Sequence, residues 1–316
     1  MATTIACSCI ALGSLSKLLT ESTGTAPRTF ADTSIRHEFL YETLGTERQL
    51  QSTNAVTGDI NALKTSVRPA PYMVQGQIAV QPSPKQLKTW LPRIFGGPIT
   101  GTSVAVNNTL PSFDCLVYRE NGFFQYTDAM VAQAVLRGKT TNGGEGVQFM
   151  ELIVALVGKT EILSGLSWPD PEPALGHTVD YLPYTFWDAE LSLDTVDVPF
   201  EEFTMVVNNF IDVRFFNSQT PQCIRGTSRS IQMDIKVPFT CDNLAESLDM
   251  NSTDRAGVFR LESGNCSTNF AFPALRNTFR TPTSPGRTMI PLKYDLMALA
   301  PADGTPNVTI THDDTP

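Results

Sequence analysis

Three histidines, six cysteines and one group of carboxylates are the residues of this 316-residue chain that could do chemistry. His37 lies in an alternating, strand-like stretch, His177 among prolines and His312 near the C-terminal end. None has the histidine, cysteine or glutamate neighbours whose spacing would gather ligands around a metal ion. Cys7 and Cys9 enclose one residue, too few for a zinc knuckle, and Cys115, Cys223, Cys241 and Cys266 are dispersed, as buried reduced thiols are. No Gly-x-Ser-x-Gly elbow presents a serine nucleophile. Gly143, Gly144 and Gly146 lack the Lys-Ser/Thr that completes a phosphate loop, and suit a hairpin turn that needs positive φ. The acidic group Asp188, Glu190, Asp194, Asp197, Glu201 and Glu202 could hold a divalent cation or supply paired glycosidase carboxylates. It follows neither ligand pattern, and a solvated acidic hairpin accounts for it. The sequence therefore points to no catalytic residue, no cofactor and no metal.

What must be positioned is surface, and the composition says of what kind. Thr, Ser, Asn, Val and Phe are frequent while Lys, Glu and Ala runs are short, which favours strands joined by turns. The net charge of -9 excludes a general binder of double-stranded nucleic acid, which needs a concentrated basic face. Residues 1–170 hold 13 basic and 13 acidic side chains, and residues 171–316 hold 10 and 19, so the second half carries the whole imbalance. Met1–Leu15 is mildly apolar without a basic leading region, unlike a secretory signal, and no apolar run reaches the length of a membrane-spanning helix.

Alternation predicts strands at Arg36–Leu44, Tyr72–Gln81, Ser112–Arg119, Phe123–Arg137 and Val147–Val157. Ser83 and Pro84 predict a helix start, Leu87, Trp90, Leu91 and Ile94 its apolar face, and Gly96-Gly97 its end. Gly45–Pro71 is too long and too polar for a connection inside a compact domain. It reads as an interaction arm whose anchors are Leu50, Val56, Ile60, Leu63 and Val67. The proline-rich stretch 169–183 separates a first module, 1–168, from a second, 184–300, and a polar tail, 301–316, follows with a short edge strand at Val308–Thr311. The second module shows strands at Thr185–Leu193 and Phe203–Phe216, a polar loop at Asn217–Arg229, alternation from Ile231 to Val237, a short helix at Asp242–Asp249 and a strand at Met289–Leu299. Ile78 and Ile235 are 157 residues apart, as are Val80 and Val237, and Leu87 and Leu244, a spacing that suggests an internal duplication. The fold class expected is mainly β, with duplicated sandwich or barrel-like modules, short helices and a long arm.

Certain ordered stretches carry a resemblance. Phe203-Thr204-Met205-Val206-Val207-Asn208-Asn209-Phe210-Ile211, then Arg229-Ser230-Ile231-Gln232-Met233-Asp234-Ile235-Lys236-Val237-Pro238-Phe239, is similar to the C-terminal part of tail tube proteins of long-tailed bacteriophages. Gly76–Pro84 and Val147–Lys159 resemble the corresponding strands of a first half. The loop Asn217–Cys223 is less basic than that family's. The resemblance implies a structural virion protein forming stacked hexameric rings, twelve similar modules per ring if the halves are duplicated, with DNA passing through the lumen. It also implies contacts with tape measure, terminator and baseplate proteins. An acidic lumen would repel the DNA backbone, and Asp188, Glu190, Asp194, Asp197, Glu201 and Glu202 are the candidates to line it.

A neck, terminator or baseplate ring protein shares this setting, a capsid decoration protein uses similar modules, and a carbohydrate-binding β module would explain Trp168, Tyr181, Tyr184 and Trp187. Because no metal-ligand spacing is present, assembly of the purified protein should be unchanged by chelators. A stoichiometric metal whose removal dissolved the particle would refute the reading.

Overall fold

The structure, a computed structural model, describes residues 17–22, 35–52, 67–120, 122–140, 148–163, 182–283, 290–302 and 304–315. Strands β1 (Lys17–Ser22), β2 (Ile35–His37), β3 (Tyr41–Glu42), β4 (Gly45–Thr46), β5 (Leu50–Ser52), β6 (Val67–Pro69) and β7 (Val74–Val80) precede helix α1 (Pro84–Phe95). Next come β8 (Gly96–Thr100), β9 (Ser103–Val106), β10 (Phe113–Tyr118), β11 (Phe123–Lys139), β12 (Glu151–Gly158) and β13 (Thr160–Ile162). The second half holds β14 (Ala189–Leu193), β15 (Val196–Asp197), β16 (Glu202–Arg214) and β17 (Cys223–Pro238), then helix α2 (Cys241–Asp249). It closes with β18 (Arg255–Ser263), β19 (Cys266–Asn277), β20 (Pro291–Ala298) and β21 (Thr309–Asp313). The fold is mainly β, as the composition requires, and its ladders are antiparallel.

Helix α1 starts and stops where its local chemistry dictates. Ser83 Oγ accepts from Gln86 N at 3.3 Å while Gln86 Oε1 accepts from Ser83 N at 3.4 Å, a reciprocal cap with Pro84 behind it. Gly96, at φ 88°, ends the helix in the left-handed region that a side chain would disfavour. Leu87, Leu91, Ile94 and Phe95 surround one small apolar cavity with Ala134, Leu136, Leu152, Met205, Val207 and Phe270, and the Phe95 and Phe270 rings lie 6.3 Å apart. The helix therefore packs on strands from both halves, and one hydrophobic core draws on the two.

The central sheet runs β4–β7–β12–β11–β16–β17–β20, with β3 beside β4 on the same edge of β7. Strand β11 makes it continuous. Its first part lies between β10 and β13, and after a shift between Val131 and Gln133, the stretch Gln133–Lys139 lies between β12 and β16. A bulge of this kind bends a strand and lets it serve two sheets. The ladders also repeat. Gly45↔Gln75↔Val157 in the first half has the counterpart Val206↔Gln232↔Met297 in the second, and Tyr41↔Ala79↔Ile153 has Glu202↔Lys236↔Lys293. Ile78, Ile235, Val80 and Val237 are all buried. Beyond these, β10 pairs with β1 and β11 as β18 pairs with β14 and β19.

Three sequence expectations change. The expected strand Arg36–Leu44 is interrupted: only β2 and β3 overlap it, and β4 begins just after Leu44, whose N–H turns to Glu42 Oε2 at 3.0 Å. The polar loop expected at Asn217–Arg229 ends at Gln222. From Cys223 the chain is already strand, pairing with Ile211–Arg214 in a hairpin that projects past β11. The segment near Val308 is not at an edge: β21 lies between β19 and β9, with Val308 and Ile310 fully buried. The C-terminal strand thereby joins the second half to the first.

At the first half's other side, His37 and Thr20 are within 2.6 Å, and Arg93 donates to Thr20 Oγ1 at 2.7 Å. The Arg93 guanidinium lies 4.4 Å from the Phe113 ring centre. Burial, with the Arg93 charge adding to it, lowers the His37 pKa to about 3, so the folded chain keeps this imidazole neutral. The unfolded chain takes the proton first, near pH 6.5. The stability that His37 confers is complete above that pH and is lost as pH falls from about 6.5 toward 3. Denaturant titrations should show this slope, up to about 1.4 kcal/mol per pH unit per proton, and a shallower one in His37→Gln. Ile310→Ala should cost about 2–4 kcal/mol, read as a lower denaturation midpoint at constant m-value. A neutral result would show that β21 is not part of the core.

Candidate functional site

The surfaces that remain after the core is built are two projections, an acidic corner and the ends of the sheet. The arm begins and ends within the fold. Gly45 and Thr46 already belong to the sheet, and Leu50–Ser52 pairs with Val67–Pro69 as a two-stranded ribbon. Leu50 is 72% exposed and Val67 partly buried, whereas Val56, Ile60 and Leu63 lie outside the described residues. Where the arm returns, Tyr72 N–H donates to Gln219 O at 2.9 Å, in the turn that joins β16 to β17. Arg48 stacks over Tyr72 at 4.5 Å. A groove of about 530 Å³, lined by Thr46, Gln49, Tyr72, Met73 and Phe215 among others, lies between the base of the arm and this turn.

Sequence reasoning missed this second projection. Its signal was Phe210, Phe215 and Phe216 in polar surroundings. Phe210 is 54% exposed and Phe216 is 72% exposed at φ 47°, a costly conformation for a bulky residue. Asn209 anchors the projection's root: its side-chain amide donates to Ile94 O at 2.9 Å and its Oδ1 accepts from Arg229 at 2.8 Å. Arg229 also lies 5.5 Å from the Phe95 ring. Burial lowers its pKa to about 10, so it stays charged at neutral pH.

The six acidic candidates lie within one stretch of chain, residues 188–202, but differ in what they can do. Asp188 caps the chain locally, accepting from Thr185 N at 2.6 Å and from Thr185 Oγ1 at 2.9 Å. Asp194 forms the turn between β14 and β15 and binds Arg255 at 2.6 Å, and this hydrogen bond holds its carboxyl below the usual range. Glu201 meets Lys236 at 2.6 Å. Glu190 stands opposite Arg260 in the ladder, and Glu202 stands between Lys139 and Lys236. Asp197 is exposed on the short strand β15. Cations from distant strands thus offset much of the negative charge, which a count along the chain could not reveal.

Another acidic pair was not anticipated. Asp234 and Asp295 stand directly opposite on β17 and β20, and burial together with the Asp295 charge raises the Asp234 pKa. Arg280 reaches Asp295 at 3.3 Å. Among the described residues no group of three or more His, Cys, Asp or Glu side chains could hold a metal ion. Nor is any described helix long and apolar enough to cross a membrane.

A bent sheet running from one edge of the molecule to the other, with projecting ribbons and offset surface charge, is the build of a β-rich structural subunit. The phage tail tube protein family matches residues 13–311, and the chain belongs to that family. It is therefore a structural component of a phage tail, of a family not known for catalysis. No match is found among curated proteins.

The acid–base pairing carries a stability expectation. Because Asp194 and Arg255 are well exposed, Asp194→Asn should lower stability by no more than about 1 kcal/mol. A larger loss in thermal or denaturant unfolding would mean that the β14–β15 turn depends on this bridge.

Proposed function

We propose that the chain forms hexameric rings that stack into the tail tube through which phage DNA is delivered, assembling in the host cytoplasm. The observation that carries this reading is the central sheet, which crosses both halves: among the described residues no further strand pairs with its β3–β4 end, and at its other end β20 is paired with β19 only over Leu296–Ala298. Such edges invite strand addition, and cyclic closure turns that liability into a bounded assembly. The internal repeat of ladder register supports a duplicated module, so that a ring of six chains presents twelve similar units.

The arm and the β16–β17 hairpin, adjacent through Tyr72 and Gln219, serve as the contacts between stacked rings or neighbouring subunits. Leu50, Val56, Ile60, Leu63 and Val67 are the arm's anchors. Ordering such a segment costs about 1–2 kcal/mol per residue in backbone entropy, which a partner surface offsets on assembly. Terminator, tape measure and baseplate proteins are its partners at the ends and interior of the tube. The acidic corner faces the lumen or its rim through Glu190, Asp197 and Glu202, with Asp188, Asp194 and Glu201 held by local partners behind them.

Electron microscopy of the purified protein tests the proposal. Long tubes of stacked sixfold rings are expected. Single closed rings would favour a neck, terminator or baseplate role, and persistent monomers a binding module. Replacing Thr53–Ser66 with a short Gly/Ser linker, which keeps the β5–β6 base, should leave a soluble β-rich protomer unable to form long stacks. Normal tubes from this variant would remove the arm from the inter-ring contact.

A further inference from the structure

Of the two ladder junctions between the chain's own halves among the described residues, β11–β16 and β21–β9, the first supplies a register against which the open edges can be compared. In the first half β7 carries β12, β12 carries β11, and the continuation Gln133–Lys139 carries β16 of the second half on its far side. In the second half β17 carries β20, and β20 carries β19 over Leu275–Asn277. The chain then runs on past β19. Thr278 N–H donates to Asp295 O at 2.8 Å, but Asp295 N–H turns to Asn277 Oδ1 at 2.8 Å, and from Phe279 to Thr283 no ladder forms among the described residues. Thr278 faces Asp295 as Gln133 faces Ala155, so Thr278–Thr283 is the counterpart of Gln133–Gly138, and no strand among the described residues pairs with its far side.

We propose that Thr278–Thr283 receives the first-half edge strand, β3–β4, of a second copy of this chain, in the register of the β11–β16 junction. The proposal rests on the ring reading above and names its lateral contact. The occupant follows from the ladder repeat: β3–β4 bears on β7 as β16 bears on β17, so it is the strand that β16 replaces inside the chain. Alternation of backbone direction turns Thr278, Arg280 and Pro282 toward β20 and Phe279, Thr281 and Thr283 toward the incoming strand. The missing N–H of Pro282 thus falls on the side that does not need it. Arg280 ties the segment to β20 through Asp295.

The incoming edge is covered in the single chain. Leu44 N–H is taken by Glu42 Oε2, and Leu44 O accepts from Arg119 Nη2 at 2.7 Å and from Tyr126 OH at 2.9 Å. Glu42 and Arg119 are themselves paired at 2.7 Å. Charged side chains on an edge strand hinder indiscriminate pairing. Docking exchanges them for main-chain bonds.

Register makes the proposal testable. Val135↔Val206 in the internal junction maps onto Arg280↔Gly45 between copies. A side chain added at Gly45 would meet nothing within 4 Å, so a cysteine is tolerated there. With the exposed Cys241 and part-exposed Cys223 replaced by serine, the full chain carrying Gly45→Cys and Arg280→Cys should, once assembled and mildly oxidised, give a reducible ladder of cross-linked oligomers, because directly opposite Cβ atoms lie about 4.5–5.5 Å apart. Either single variant should give none, and Thr43→Cys with Arg280→Cys should give much less. Thr281→Pro, which deletes an N–H on the vacant side, should keep the wild-type melting temperature but remain monomeric. Wild-type protein that forms no rings would refute the ring reading itself. Rings of the double variant that fail to cross-link, cross-linking that is equal out of register, or rings that form normally from Thr281→Pro would overturn this contact alone.

Discussion

A strand at the end of a sheet leaves its amide and carbonyl groups for water or for another chain, and the shape of this molecule follows from how it distributes that cost. Strand β11 is the pivot. By bending between Val131 and Gln133 it completes the first half's outer ladder and then offers a second side to β16, so two potential edges become one interior junction. Helix α1 can then cover strands of both halves with one apolar face, and the core has no seam at which the halves could part. Strand β21 has a similar effect from the other end of the sequence, closing a second link between β19 and β9.

Close approach sets further conditions. At Gly76 a Cβ would stand 2.4 Å from Thr43 O, so only glycine lets the Thr43–Leu44 backbone lie against β7. The same tightness breaks the first half's edge into β3 and β4 where the second half has the long, regular β16. The two halves therefore share a register without sharing an outline. One presents a short edge covered by Glu42 and Arg119, and the other a long strand already paired within the chain.

Much of the architecture was legible because burial imposes period. Val74–Val80, Glu151–Gly158 and Ile231–Val237 alternate, or run apolar, as their faces require, and the Ser83–Gln86 cap is local chemistry. What escaped lacked a buried face or gave no sign of its partners. Arg225–Ser230 is strand in a hairpin with no fully buried position, where Gly226 and Arg229 lean on Leu110 and Phe95, so no alternation marks it. Thr309–Asp313 is too short to announce that its partners lie on both sides, one of them some 200 residues back. The acidic group was visible as charge but not as pairing, since Arg255, Lys236 and Arg260 arrive from strands that only the fold brings near.

Charge placement and edge placement meet at β20. Asp234 and Asp295 stand side by side where like charges cost energy, and Arg280 offsets the cost from a segment that makes no ladder of its own. An exposed pair of this kind contributes little to stability in isolation, so its value lies in holding the segment at the edge of the sheet. In the proposed contact, holding the segment there reduces the entropy that an incoming strand must overcome, because half of the new ladder is already positioned. That contact would find the subunit's amides satisfied by side chains where docking must wait, and left open where a copy of the chain would complete them.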